Sequence, residues 1–180
     1  MLKTIFSSEF YFARHGETEY NLKGIVSGDR DVPLSTVGIS RSQSVAGIIG
    51  RLGVASAFCS PLSRARDTAL YLLQETAITP IVLEGLKERH WGKLQGVSKT
   101  LLNNFNFKEN NVEEWEEFYS RTVNALNGVN SPAPALVVAH SGTFRVLLEY
   151  LKIDIERKQV KNSYPYRFYK SGKSWRVAEV

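Results

Sequence analysis

Ala135-Leu136-Val137-Val138-Ala139 is an unbroken apolar run, and His140-Ser141-Gly142-Thr143 follows it directly. Such a run, bounded by the Pro132-Ala133-Pro134 loop and by small polar residues, reads as a strand buried on both faces. The residues beyond it place Phe144, Leu147, Leu148 and Leu151 on one helical face. Strand, polar turn and amphipathic helix form the repeating unit of an α/β fold with a parallel sheet. Outward from this point the unit recurs. Phe10-Tyr11-Phe12-Ala13 reads as a buried strand running into Arg14-His15-Gly16. Val54 to Cys59 reads as another, and Ser60-Pro61 after it has the form of an N-cap with a first-turn proline. The helix so opened carries Leu62, Ala65, Ala69, Leu72 and Leu73 on one face.

Val45, Ile48, Ile49 and Leu52 predict a helix over 36–52, with Gly53 placed to stop it. Ile81-Val82-Leu83 is a brief strand. Asn111 with Glu114 predicts a helix opening there, with Val112, Trp115, Tyr119, Val123 and Leu126 inward and an end near Gly128. The tail from Tyr164 to Val180 alternates aromatic and polar residues around Ser171-Gly172-Lys173, the pattern of a hairpin. The expected architecture is α/β: a three-layer α/β/α sandwich, its central sheet mostly parallel with an antiparallel edge hairpin. No repeat or linker divides the chain, so one domain spanning 1–180 is expected.

Composition narrows the partners. The 180 residues are 43% hydrophobic and 23% charged, enough apolar material for a core and too much for wholesale disorder. The formal charge is +5, but Lys and Arg are scattered, so no nucleic-acid stripe is indicated. A single cysteine, Cys59, excludes an internal disulfide framework and a thiolate-rich zinc site, and its apolar setting predicts a buried, inert thiol. No apolar stretch approaches the roughly 20 residues of a membrane span, and the opening residues are too polar for a leader. A cytoplasmic protein without membrane association is expected.

The chemistry is positional. His15 and His140, two of three histidines, each follow the carboxyl end of an expected strand, where open α/β sheets form their crevices. Arg14 adjoins the first, and Arg64 lies one turn into the helix after Cys59. Two guanidinium forks and two imidazoles meeting there suit a tetrahedral oxyanion, and the helix N-terminus after His140 adds N–H donors. That is a phosphate pocket with histidine available as nucleophile.

Five ordered blocks carry a resemblance. Ala13-Arg14-His15-Gly16-Glu17-Thr18, Gly28-Asp29-Arg30-Asp31-Val32-Pro33-Leu34-Ser35 and Ser60-Pro61-Leu62-Ser63-Arg64-Ala65-Arg66-Asp67-Thr68-Ala69 are followed by Leu86-Lys87-Glu88-Arg89-His90-Trp91-Gly92-Lys93-Leu94-Gln95-Gly96 and Val137-Val138-Ala139-His140-Ser141-Gly142. The chain resembles the phosphoglycerate-mutase-like branch of the histidine phosphatase superfamily, with its Arg-His-Gly signature. The resemblance implies that His15 attacks phosphorus and that Arg14, Arg64 and His140 clamp the phosphoryl oxygens with the Ser141 N–H. Asn21 would hydrogen-bond the phosphoryl group, and Glu88 would protonate the leaving oxygen and then activate water. Neither metal nor other cofactor is expected, because arginines supply the positive charge. His15 must be neutral at its attacking nitrogen, so its other ring N–H should be held by a backbone carbonyl. Glu88 should become a competent acid only when substrate is bound, since arginines favour its ionised form and a phosphate dianion opposes it.

Plainer readings compete at each position. Either histidine alone could be a hydrogen-bonded strand-end residue, Arg64 a surface charge, and Glu88 a solvated carboxylate. His90 reads as structural, Asp29 and Asp31 as turn and cap residues, and Arg66, Asp67 and Arg89 as local ion-pairing or helix-surface residues. The Glu88 block is similar to that of cofactor-dependent mutases, which makes Trp91, Lys99, Ser27 and Gly28 candidates for holding the rest of the substrate. The stretch between Glu88 and His140 is much shorter than in those mutases, and Arg121 is the only arginine between Lys99 and His140. The missing segment caps the mutase pocket and supplies an arginine pair there. An open, arginine-poor mouth is therefore expected, formed partly by residues 100–111, and it favours hydrolysis over mutase chemistry. The expected partner is a small phosphorylated metabolite. A non-catalytic phospho-ligand module and a metal-dependent hydrolase are the rival classes, and nothing in the pattern sets the oligomeric state.

Overall fold

The computed structural model describes residues 4–154 and 160–180. Its strands are β1 (Phe10–Arg14), β2 (Ser56–Cys59), β3 (Ile81–Val82), β4 (Ala135–Ala139), β5 (Pro165–Ser171) and β6 (Ser174–Glu179). The helices are α1 (Glu19–Leu22), α2 (Thr36–Arg51), α3 (Ser63–Leu73), α4 (Trp115–Asn127) and α5 (Ser141–Tyr150), with short 3₁₀ turns between them. The sheet order is β3-β2-β4-β1-β5-β6. The first four strands run parallel, and β5 and β6 add an antiparallel edge.

β4 lies at the centre because every one of its side chains is apolar, and none is more than 2% exposed. Leu136 and Val138 pack with Val45, Ile49 and Leu72 beneath α2 and α3. Ala135, Val137 and Ala139 pack on the opposite face with Leu126, Phe144 and Leu147 from α4 and α5. Each fully buried Leu, Val or Phe contributes roughly 1.5–3 kcal/mol, so this strand nails both layers to the sheet. Phe10 stacks on Phe168 at 4.8 Å and ties β1 to the hairpin. The hairpin turns at Gly172, whose φ of 62° lies in the left-handed region. Cys59 is buried, and burial pushes its thiol up to about 11. Among the described residues no helix is long and apolar enough to cross a membrane.

Two helix starts differ from expectation. Ser60 does not cap α3, which begins only at Ser63; its hydroxyl lies 2.7 Å from His140 Nε2. Asp31, distant in sequence, accepts the Ser63 N–H at 2.7 Å and caps the helix instead. Asn111 and Glu114 form no capping box, because Asn111 adopts φ 55° and Glu114 is itself the N-cap residue. The chain before α4 is held in loop form by bonds to the segment around His90. Lys93 N–H donates to Asn110 O and Glu113 N–H to His90 O, both at 2.9 Å. The inward stripe of α4 is accordingly Phe118, Thr122, Val123 and Leu126, with Val112 buried ahead of the helix and Trp115 and Tyr119 only half-buried.

Candidate active site

Strand register assembles the site. Arg14 pairs with Ala139 across β1 and β4, and Cys59 pairs with Val138 across β2 and β4. His15 N–H then donates to Ala139 O at 2.8 Å and Ser60 N–H to Val138 O at 3.1 Å. The residues emerging together from this edge are therefore His15, His140 and Ser60. The two imidazole centroids lie 5.2 Å apart, bringing together residues from opposite ends of the sequence.

His15 is buried and its Nδ1–H donates to the Gly16 carbonyl at 2.6 Å, as expected from sequence. The carbonyl can only accept, so the unprotonated ring nitrogen is Nε2. Burial, followed by the charges of Arg64 and Arg14, pushes the His15 pKa well below its usual value. His140 is pushed down as well, first by burial and then by Arg64. It is fully buried, and its Nδ1 has no partner among the described residues. Both rings are neutral near pH 7.

A cleft of about 210 Å³ opens in front of His15. Arg14, His15, Asn21, Ser27, Gly28, Arg64, Glu88, Trp91, Lys99 and Ser141 all line it, whereas His140, fully buried, is not among the lining residues. Arg64 is 1% exposed, and its two terminal nitrogens donate to the carbonyls of Arg30 and Gly28, each at 2.7 Å. Each nitrogen keeps a second N–H. The guanidinium thus fixes the 28–30 loop as well as charging the cleft. Gly28 accepts this role at φ 55°, and a Cβ there would sit 2.4 Å from Gln95 Oε1. Thr68 links the same helix to the signature loop, donating to Arg64 O at 2.6 Å and accepting Gly16 N–H at 2.7 Å. Asn21 Oδ1 accepts the Thr18 N–H at 3.2 Å, closing the capping box of α1.

Glu88 reaches the cleft from the segment after β3. Its Oε1 accepts Arg89 N–H at 2.9 Å and its Oε2 accepts Gly142 N–H at 3.3 Å. Behind it stands Arg121, which does not face the cleft. Its Nη1 donates to the carbonyls of Gly85 (3.0 Å) and Lys87 (2.6 Å), its Nη2 to Glu88 O (3.1 Å) and Glu113 Oε2 (2.9 Å), and its Nε to Glu113 Oε1 (2.6 Å). Burial would raise the Glu113 carboxyl, but Arg121 outweighs it and holds the group below its usual range. Glu113 Oε2 in turn accepts His90 N–H at 2.9 Å. His90 has the structural place expected of it, with its Nδ1 2.9 Å from Asp29.

The expectation of an arginine-poor mouth is overturned. Arg89 and Arg145 both line the cleft, making five cations there with Arg14, Arg64 and Lys99 against one carboxylate, Glu88. Arg89 is half-buried: its Nε donates to Glu113 O at 2.8 Å and its guanidinium lies 5.4 Å from the Trp91 ring centre. Arg145 follows Ser141 by four residues, so the helical spacing that puts both on one face of α5 was the available signal. Burial first, then Arg14, pushes the Lys99 amine down. Leu102 carries the 100–111 segment into the mouth, and Phe107 packs edge-on against Trp91 at 5.4 Å. Among the described residues no three His, Cys, Asp or Glu side chains gather as a metal-ligating group.

The arrangement can hold a tetrahedral anion between guanidinium groups and the N-terminus of α5, with a neutral imidazole and a carboxylate on its borders. The chain is 31% identical over 180 residues to a 2,3-bisphosphoglycerate-dependent phosphoglycerate mutase of Rhizobium etli, covering 87% of this chain and 84% of that one. It is 30% identical over 166 residues to a metal-independent phosphoserine phosphatase of Arabidopsis thaliana, covering 81% and 68%. It spans only 41% of agropine synthesis reductase of Rhizobium rhizogenes, at 29% identity over 94% of this chain. A mycobacterial glucosyl-3-phosphoglycerate phosphatase shares the fold, with a TM-score of 0.80, 23% identity and coverage of 96% and 98%. The profile of the histidine phosphatase superfamily, branch 1, matches residues 10–164, and the chain belongs to that family.

Proposed function

We propose that this chain is a metal-independent phosphatase that hydrolyses phosphate monoesters of small molecules through a phosphohistidine on His15. The observation that carries the reading is the tautomer of His15. With Nδ1–H committed to Gly16 O, the Nε2 lone pair is available beside Arg14 and Arg64 and on the same cleft as Glu88. Nε2 bonds to phosphorus while the ester P–O bond breaks, and the departing alkoxide takes the proton of Glu88. Water then attacks the phosphohistidine, Glu88 takes a proton from it, and the N–P bond breaks to release phosphate. Two such displacements replace one harder step. Arg14, Arg64 and Lys99 oppose the charge on the transferring group, and the Ser141 N–H at the start of α5 adds an oriented donor. Asn21 hydrogen-bonds the transferring phosphoryl group, Ser27, Gly28 and Trp91 hold the remainder of the substrate, and His140, its ring centre 5.2 Å from that of His15, completes the clamp on the phosphoryl oxygens.

Hydrolysis is favoured over mutase chemistry by the 100–111 segment, where Asn103 to Glu109 are all exposed and leave the mouth open to water. The single buried cysteine fits a cytoplasmic location. The test is a panel of small monoesters assayed with and without chelator. Native turnover unaffected by chelator, and abolished in His15→Ala, supports the reading. Interconversion of 3- and 2-phosphoglycerate faster than any hydrolysis would replace it with the mutase.

A further inference from the structure

Away from His15, the cleft has a second cationic wall that the hydrolytic steps do not use. Arg145 projects from the first turn and a half of α5, exposed, and its guanidinium carbon lies 5.0 Å from the Trp115 ring centre. Arg89 approaches the same ring at 5.9 Å. Two like charges on one indole repel each other, and Arg145 is among the charges that weaken the proton affinity of Arg89. Arg89 has carboxylates beside it, Glu113 and Glu114. Arg145 does not: among the described residues it makes no hydrogen bond or ion pair.

The reason lies in one neighbour. Glu149 is four residues on along α5, the ordinary helical partner for Arg145. Its carboxylate instead accepts the Trp115 Nε1–H at 3.1 Å. Trp115 thus does two things at once. It draws away the counter-ion, and its face holds the guanidinium over the cleft by cation–π attraction. The result is a planar fork with free donors, in the cleft that also holds His15 and Glu88.

We propose that Arg145, positioned by Trp115, is a specificity-determining residue that receives a second anionic group of the substrate, so that the preferred monoester carries a carboxylate or a second phosphate besides the phosphoryl group transferred. This rests on the phosphatase reading above. Arg89 lends charge to the same subsite while remaining anchored to Glu113 O through its Nε.

The test compares esters with and without the second anion: 3-phosphoglycerate against glycerol 3-phosphate for a carboxylate, and fructose 1,6-bisphosphate against fructose 6-phosphate for a phosphate. Arg145→Gln should lower the kcat/KM ratio of at least one pair by about tenfold, through KM, the size of one lost charge-assisted contact. The affected pair identifies the anion. Arg145→Lys should recover part of the ratio. Trp115→Phe keeps a ring but loses Nε1–H, so Glu149 is released to pair with Arg145 and the ratio should fall again; Trp115→Phe with Glu149→Gln should restore it. Ratios unchanged in Arg145→Gln, with all four esters turned over, overturn the inference and leave the phosphatase reading intact. Native hydrolysis of simple monoesters but of neither doubly anionic ester overturns it equally. Absence of turnover on every monoester overturns both.

Discussion

Gly142 and Glu88 are in contact in a way no other residue at position 142 could sustain. The Gly142 N–H donates to Glu88 Oε2 at 3.3 Å, while a Cβ on residue 142 would meet Glu88 Oε1 at 2.2 Å and the Phe118 ring at 2.9 Å. The start of α5 and the carboxylate are built for each other.

Gly142→Ala should therefore expel the carboxylate from its place. Overpacking of this kind costs about 1–3 kcal/mol, so the variant should remain folded. Its kcat should drop at least tenfold, with a much smaller change in KM, when assayed beside a thermal melt.

Arg121→Met removes five hydrogen bonds from a partly buried network, three of them to carbonyls and two to the Glu113 carboxylate. A loss of roughly 2 kcal/mol in urea unfolding is expected. Because the released segment carries Glu88, kcat should fall more than KM does, and Arg121→Lys should recover little, since one ammonium cannot span that set.

Glu88→Gln should spare phosphate binding and suppress turnover, most severely for esters with poor leaving groups, which depend on protonation. The pH profile of turnover should lose the limb that depends on this carboxyl. An unchanged profile would remove Glu88 from the mechanism.

His15 and His140 set an acid limit on stability. Both are held neutral in the fold, with pKa values well below that of an unfolded histidine. Below pH of about 6.5 the unfolded chain binds protons that the folded one refuses, so stability is complete above that value and declines as pH falls, by up to ~1.4 kcal/mol per pH unit for each ring. Urea titrations between pH 7.5 and 5 should show this slope, reduced by about half in His15→Gln.

Much of the fold was legible because its strands are short apolar runs and its helices keep a 3.6-residue period. β1, β2 and β4, the helix ending at Gly53 and the terminal hairpin all follow from such local patterns. The strand-end rule then located His15, Arg14 and Arg64 without coordinates. What escaped was long-range. Nothing near Ser60 signals that Asp31 caps α3, and the delayed start of α4 depends on bonds to His90 and Lys93. Arg121 was visible only as a lone arginine, since its partners are mainly backbone carbonyls more than thirty residues away. Arg145 was hidden because its meaning depends on Trp115 diverting Glu149.

The position of β1 between β4 and β5 has a consequence for biosynthesis. Among the described residues, the strands that pair with β1, which leads into His15, are β4 and β5, and neither begins before Ala135. During synthesis β1 is without its sheet partners until β4 and then β5 have been made, while β2 and β3 already have each other. Ordering of the signature loop is thus a late event, tied to non-local closure of the sheet, and enzymatic competence should arise together with it.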